Sequence, residues 1–174
     1  MNKQEILLAN EHHAAYISLL GRVTFTETFG HLFRDKQDLT NYYENTFSVK
    51  KIKTSISKPN NIFWLAFVND LPVGYAKLKL NSTSKVISHS EKVCQLQKIY
   101  VLKDFLSMKI GFELQNQLLK KAKELGFEYI WLSVLNNNIR AINFYKKLKF
   151  NEVGCHDFQI GKENFEFVAM CKEL

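Results

Sequence analysis

At 174 residues, with 46% hydrophobic and 24% charged side chains, the chain is sized for a single domain over 1–174 that buries its own core, and its composition excludes a disordered polymer. Lysine and arginine outnumber aspartate and glutamate 24 to 17; the resulting charge of +7 draws anions, but the lysines are scattered or sit at helical spacing, so no nucleic-acid groove is expected. No apolar run has the length of a membrane helix, the start of the chain lacks a signal-peptide core, and Cys94, Cys155 and Cys171 follow neither a metal nor a disulfide spacing, so a cytoplasmic protein with buried, reduced cysteines and no membrane partner is expected.

Glu5 to Ala9 is short and apolar enough for a first strand. Ala15, Leu19, Val23 and Phe29 then recur at helical spacing between Glu11 and Leu32, predicting one or two helices broken at Gly21 or Gly30. Asp38 is the expected N-cap of a helix with Leu39, Tyr42, Tyr43 and Phe47 on its apolar side. Val49 to Ser57 predicts a third helix, stopped by Lys58-Pro59-Asn60-Asn61. Ile62–Val68 and Val73–Leu80 read as a hairpin turned at Asn69-Asp70-Leu71-Pro72, where Gly74 is a packing or bulge glycine. Asn81 to Glu91 reads as a polar loop, and Val93 to Leu102 as a further strand through Leu96, Ile99 and Val101.

The longest helix is expected after Lys103-Asp104, with Ile110, Leu114, Leu118, Ala122 and Leu125 on one stripe and Gly126 ending it in the left-handed conformation. Tyr129 to Leu135 is a continuous apolar run, as in a strand covered on both faces. Asn138 caps a helix carrying Ile142, Tyr145 and Leu148, and Phe150–Ile160 and Asn164–Cys171 close the chain as strands around Gly161-Lys162-Glu163. The order β, helices, β-β-β, α, β, α, β-β predicts an α/β architecture. A mixed, mostly antiparallel sheet is flanked by helices, with a right-handed crossover into the apolar strand.

That order, with the segment Asn138-Ile139-Arg140-Ala141-Ile142-Asn143-Phe144-Tyr145-Lys146-Lys147-Leu148-Lys149-Phe150, resembles the GNAT (GCN5-related N-acetyltransferase) superfamily. The segment is similar to the family's N-x-x-A-x-x-F-Y-x-x-x-G-F pattern, with Lys149 where glycine is usual. The family's cofactor loop, Q/R-x-x-G-x-G/A, has a weaker counterpart in Leu106-Ser107-Met108-Lys109-Ile110-Gly111, where only the last glycine survives. Backbone amides opening a helix make an anion site whatever the side chains, but a lysine forced into the left-handed conformation would be strained. Within the superfamily, Thr24–Phe29, Tyr42–Phe47, Leu96–Val101 and Gly154–Phe158 are similar to PaiA-type bacterial polyamine acetyltransferases.

The resemblance implies acetyl transfer from acetyl-CoA to a primary amine such as spermidine or spermine, with no metal. A protein or antibiotic amine, and a non-catalytic CoA-binding regulator, stay open. It implies that backbone amides of Ile99, Tyr100 and Val101 polarise the thioester carbonyl, that the pantetheine lies between this strand and the Trp131 strand, and that Asn138, Phe144 and Lys147 help hold it. It implies Tyr145 as the general acid, since a phenol is protonated at neutral pH and can protonate a leaving thiolate. The carboxylate many relatives carry on the central strand is missing, replaced by Gln95 and Gln97, whose amides cannot accept a proton. Glu27 and Glu44 are the carboxylates expected near the acceptor. His156 reads as a structural histidine near the acceptor mouth, and His12-His13 offers no metal geometry. A homodimer is the expected assembly.

Overall fold

The computed structural model describes residues 3–85, 87 and 92–174. Seven strands form one sheet in the order β1-β2-β3-β4-β5-β7-β6. They are β1 (Gln4–Leu8), β2 (Asn61–Val68), β3 (Leu71–Lys79), β4 (Val93–Val101), β5 (Tyr129–Leu135), β6 (Asn151–Ile160) and β7 (Glu163–Glu173). Every neighbouring pair is antiparallel except β4–β5, which is parallel and is joined through a long helix. The helices are α1 (Ala14–Phe29), α2 (Lys36–Phe47), α3 (Val49–Ile56), α4 (Ile110–Glu124) and α5 (Ile139–Lys147). The expected mixed sheet between helices is therefore present. Of the expected polar loop, residues 86 and 88–91 lie outside the described residues.

The sheet separates two cores. One packs α4 and α5, through Ile110, Leu114, Leu118, Ile142 and Tyr145, on Ala76, Leu96, Leu132 and Met170. The other packs α1, α2 and α3, through Ile17, Phe25, Phe47 and Ile52, on Phe63, Tyr75 and Phe165. β5 is covered on both sides, as its uninterrupted apolar run requires.

Several local expectations are corrected. The N-cap of α2 is Asp35, whose carboxylate accepts from the Gln37 amide at 2.9 Å. Asp38 sits in the first turn and instead accepts from the Lys162 amide at 2.9 Å, tying α2 to the β6–β7 turn. Of the two expected breaks, α1 ends at Gly30 but runs unbroken through Gly21, which lies under the Phe47 ring where a Cβ would collide; that glycine serves packing, not termination. At 16 residues α1 is longer than α4, at 15. The β2–β3 turn is only two residues, Asn69 and Asp70, both at positive φ (48° and 65°), so Leu71 and Pro72 already pair with β2. Cys155 is exposed, whereas burial drives the Cys94 thiol up to about 12. His13 Nδ1 accepts from the Asn10 amide at 3.0 Å, completing a cap before α1.

The feature that positions the site is in β4. Cys94 and Leu96 face the α4–α5 core, and so do Ile99 and Val101, a three-residue step that breaks two-residue alternation. The pairing with β3 shows why: Lys77 meets Lys98 and Leu78 meets Leu96, leaving Gln97 as the extra residue of a bulge. Past the bulge, Lys98 and Tyr100 turn to the α1–α3 face. Among the described residues no helix is long and apolar enough to cross a membrane.

Candidate active site

β4 and β5 pair only at Val93–Tyr129, Cys94–Ile130 and Gln95–Trp131, and beyond these the strands part. Trp131 fixes the root of the split by donating its indole N–H to the Ser82 carbonyl at 2.7 Å. The other edge of β4 stays bonded to β3, and the Leu102 amide donates to the Val73 carbonyl at 2.9 Å. Strand alternation then turns the Ile99 and Val101 amides away from β3 and toward the split. These are backbone donors with no strand to take them.

The split opens into a cleft of about 820 Å³ that reaches both faces of the sheet. On the α4–α5 face its wall includes Leu106, Lys109 and Gly111 from the turn into α4, and Asn138, Phe144 and Tyr145 from α5. Lys109 is the residue just before α4 and adopts φ 59°, ψ 15°. The family's missing first glycine therefore coincides with a left-handed residue, and the second departure does too: Lys149 has φ 64°. Each costs roughly 1–2 kcal/mol relative to a relaxed backbone. The amides at the start of α4 combine with the helix dipole, and Lys109 and Arg140 add cations to the same wall. Asn138 caps α5, its Oδ1 accepting from the Ala141 amide at 3.2 Å.

Tyr145 is packed edge-on against Phe144 and Phe150, at 5.3 and 5.7 Å between ring centres, yet it reaches the cleft wall. Burial pushes its phenol well above the usual tyrosine range, so it holds its proton through neutral pH. The Tyr100 phenol is raised by burial too, with further contributions from Tyr42 and Tyr145, which places three phenols around the split.

On the α1–α3 face the wall is aromatic: Phe25 and Phe29 from α1, Tyr42 from α2, Phe158 from β6, and Phe165 and Phe167 from β7. Glu27 is the one carboxylate of the cleft wall among the described residues, and it accepts from the Lys103 amide at 3.3 Å. Lys98 lies 5.0 Å over Phe47 and 5.4 Å over Tyr100, and burial pulls its ammonium down to about 8. Behind it Lys77, over Phe63 and bonded to Ser55 Oγ at 3.0 Å, is pulled down to about 7 by burial and the charges of Lys98, Lys79 and Lys58.

Of the residues singled out in the sequence, Ile99, Tyr100, Val101, Leu106, Lys109, Gly111, Asn138, Phe144, Tyr145 and Glu27 share this cleft. Met108 and Ile110 turn their side chains into the α4–α5 core, leaving only main-chain groups for a ligand. Ser107 and Lys147 are exposed outside the cleft wall. Glu44 is away from the cleft, paired with Arg22 at 2.9 Å on the outside of the helices. Two features were missed. Lys98 was signalled by the Leu96–Ile99 step, which betrays the bulge that turns it inward. The other is a hydrogen bond of 2.7 Å between Ser133 Oγ and His156 Nε2, both in the cleft wall. Nothing local in the sequence joins residues on β5 and β6.

With this geometry in place, the chain can be set against known proteins. A profile described as "Acetyltransferase (GNAT) family" matches residues 24–150. The chain belongs to the GNAT acetyltransferase family. An N-acetyltransferase of Lactobacillus delbrueckii subsp. lactis, described as uncharacterized, is 25% identical over 94% of this chain and 93% of that protein. A PaiA N-acetyltransferase of Thermoplasma acidophilum, solved in complex with coenzyme A, superposes with a TM-score of 0.76 at 20% identity over 99% of each chain. A GCN5-related N-acetyltransferase of Rhodopseudomonas palustris superposes at 0.78 with 18% identity, over 100% of this chain and 98% of that one.

As a GNAT enzyme the chain is an N-acetyltransferase that takes its acyl group from acetyl-CoA. The residues present fit that substrate. The split offers unpartnered strand donors for an extended amide-bearing arm, and the α4 terminus with Lys109 and Arg140 suits phosphates.

Proposed function

We propose that this GNAT enzyme acetylates a primary amine carried on a compact apolar or aromatic body, by direct attack of the amine on the thioester. The carrying observation is the acceptor-side wall: six aromatic rings besides Tyr100, a single carboxylate at Glu27 among the described residues, and the Lys98 ammonium held over Tyr100. An aromatic wall favours an apolar body. One carboxylate matches one cationic centre. A polycation would bring further charges toward Lys98 and Lys103, and like charges brought together oppose binding.

In this reading the acceptor enters from the α1–α3 face and acetyl-CoA from the α4–α5 face. The Ile99 and Val101 amides stabilise the charge that develops on the carbonyl oxygen. Fixed donors of this kind are worth roughly 10²–10³ in rate. Asn138 and the first amides of α4 orient the CoA arm. Tyr145 gives its proton to the departing thiolate, and burial keeps the phenol protonated at neutral pH.

The test is CoA-thiol release from acetyl-CoA across a panel of arylalkylamines, amino-acid amides, peptide N-termini, aminoglycosides, spermidine and spermine. Arylalkylamines should give the highest kcat/KM. Preference for spermidine or spermine would return the acceptor to the polyamine class expected from the PaiA resemblance. No thiol release from any amine, with acetyl-CoA still raising the melting temperature, would leave a CoA-binding module without catalysis.

A further inference from the structure

Amine acetylation has a requirement that the groups assigned so far do not meet. At neutral pH the acceptor arrives as an ammonium ion, and it must lose a proton before its nitrogen can attack. Gln95 and Gln97 carry amides. Tyr145 is protonated and serves the thiolate on the other face. Glu27, on α1, is the carboxylate that pairs with the acceptor's charge in the proposed reading, and it also accepts from the Lys103 amide. Lys98 is held over Phe47 and Tyr100 and is the competing proton acceptor that the Lys98→Met variant separates from the Ser133–His156 pair.

The Ser133 and His156 side chains meet on the acceptor face. Ser133 is on β5 beside the split, between Leu132 and Val134, which both face the opposite core. Its hydroxyl lies 2.7 Å from His156 Nε2. The imidazole, on the exposed strand β6, stacks on Phe167 with 5.7 Å between ring centres and 10° between planes, and this contact favours the orientation that brings Nε2 to Ser133. Both residues line the cleft together with the aromatic acceptor wall. A hydroxyl that donates to an imidazole can accept a proton on its oxygen while passing its own on.

We propose that the Ser133–His156 pair receives the proton of the acceptor ammonium, with the Ser133 hydroxyl facing the amine and His156 holding the charge. The proposal rests on the reading above that an amine enters from this face. The ammonium N–H proton passes to Ser133 Oγ as the Ser133 hydroxyl proton moves to His156 Nε2, leaving a neutral amine and an imidazolium. The amine lone pair forms the C–N bond, the C–S bond breaks, and the thiolate takes the Tyr145 proton. The second proton shed by nitrogen restores Tyr145. His156 returns its proton to water, so one proton is released per turnover.

The titratable neighbours are distributed around the pair. Cys155 and Asp157 flank His156 on β6, and Glu166 lies on β7 opposite Asp157, where it accepts from Asn136. Across the cleft stand Arg140 and Tyr145 on α5, Lys98 and Tyr100 on β4, and Glu27 and Tyr42 on the helices.

The experiment is the pH dependence of kcat/KM for the best amine in wild type, His156→Gln, Ser133→Ala and Lys98→Met. Melting temperature with and without acetyl-CoA serves as the control for folding and donor binding. Wild type should rise to a plateau as pH increases. His156→Gln should fall about 10²-fold at neutral pH and lose that limb, so its rate climbs only with the free-amine fraction of the acceptor. Ser133→Ala should fall about tenfold and keep the limb. The acetyl-CoA melting shift should stay in both. A His156→Gln enzyme with an unchanged profile and nearly full rate overturns the proposal, as does loss of the limb in Lys98→Met but not in His156→Gln. Wild type that turns over no amine defeats the functional reading and this one together, whereas an active wild type with an indifferent His156 defeats this one alone.

Discussion

On the α4–α5 face of the sheet, aliphatic side chains at helical spacing meet aliphatic strand residues, and the proposed donor site relies largely on main-chain groups of β4 and the start of α4. On the α1–α3 face, Phe25, Phe47, Phe63, Tyr75 and Phe165 belong to the core, and the proposed acceptor wall is made of side chains from α1, α2, β4, β5, β6 and β7. In the proposed reading a donor gripped through amides would tolerate a lysine where glycine is usual, because Lys109 keeps the left-handed backbone path. An acceptor gripped through side chains changes identity with single substitutions.

The comparison can be broken most forcefully at Phe47, which is fully buried among the acceptor-side rings and lies under the Lys98 ammonium. Phe47→Ala should destabilise by about 3–5 kcal/mol in urea titrations, while acetyl-CoA still raises the melting temperature of the folded fraction. Loss of that thermal response would mean that the two faces are not separable. Next comes Tyr145→Phe, which should lower kcat about 10²-fold with little change in acetyl-CoA affinity. Unchanged turnover would remove Tyr145 as the proton donor.

Lys98→Met sharpens the acceptor side. It should raise the preference for spermidine over a monoamine about tenfold, read from the ratio of kcat/KM values. It should also alter the pH dependence of stability. A lysine held near 8 when folded and near 10.5 when unfolded binds fewer protons in the folded state across that interval, so stability rises with pH there. Lys77 extends the rise downward to about 7. Above about 10, the phenols raised by burial act in the opposite sense. Urea midpoints at pH 7 and 9.5 should converge in Lys98→Met, which should also be the more stable protein at pH 7.

The smallest effects test the backbone side. Lys149→Gly and Lys109→Gly each relieve a left-handed lysine and should stabilise by about 1 kcal/mol. Lys109→Gly should also weaken acetyl-CoA binding by removing a cation from the cleft wall. A destabilised Lys149→Gly would show that its side chain contributes more than the backbone strain costs.

The same contrast explains what could be read from the sequence. The α4 stripe, the Gly126 stop, the apolar β5 run and the Asn138 cap each depend on neighbours within a few residues, so they were legible. Lys109 was visible as a departure, and its left-handed conformation gives that departure its meaning. Asp38 reads as a cap because Asp35 has the same chemistry three residues earlier, and only the distant Lys162 amide separates their roles. Glu44 was misplaced because its choice of Arg22 over the cleft depends on how α1 and α2 pack. The Ser133–His156 bond and the Lys98 ring contacts join residues far apart in the chain, which periodicity does not connect.

The parting of β4 from β5 has a consequence for motion. Three residue pairs are all that stitch strands β1–β4 to strands β5–β7 within the sheet. The two half-sheets are therefore natural candidates for separate cooperative units in hydrogen exchange, with amides near the split exchanging ahead of those in the β2–β3 ladder. A molecule threaded through the split would act as an eighth strand that binds the halves into one body. Donor occupancy would then be felt as slower exchange far beyond the atoms it touches.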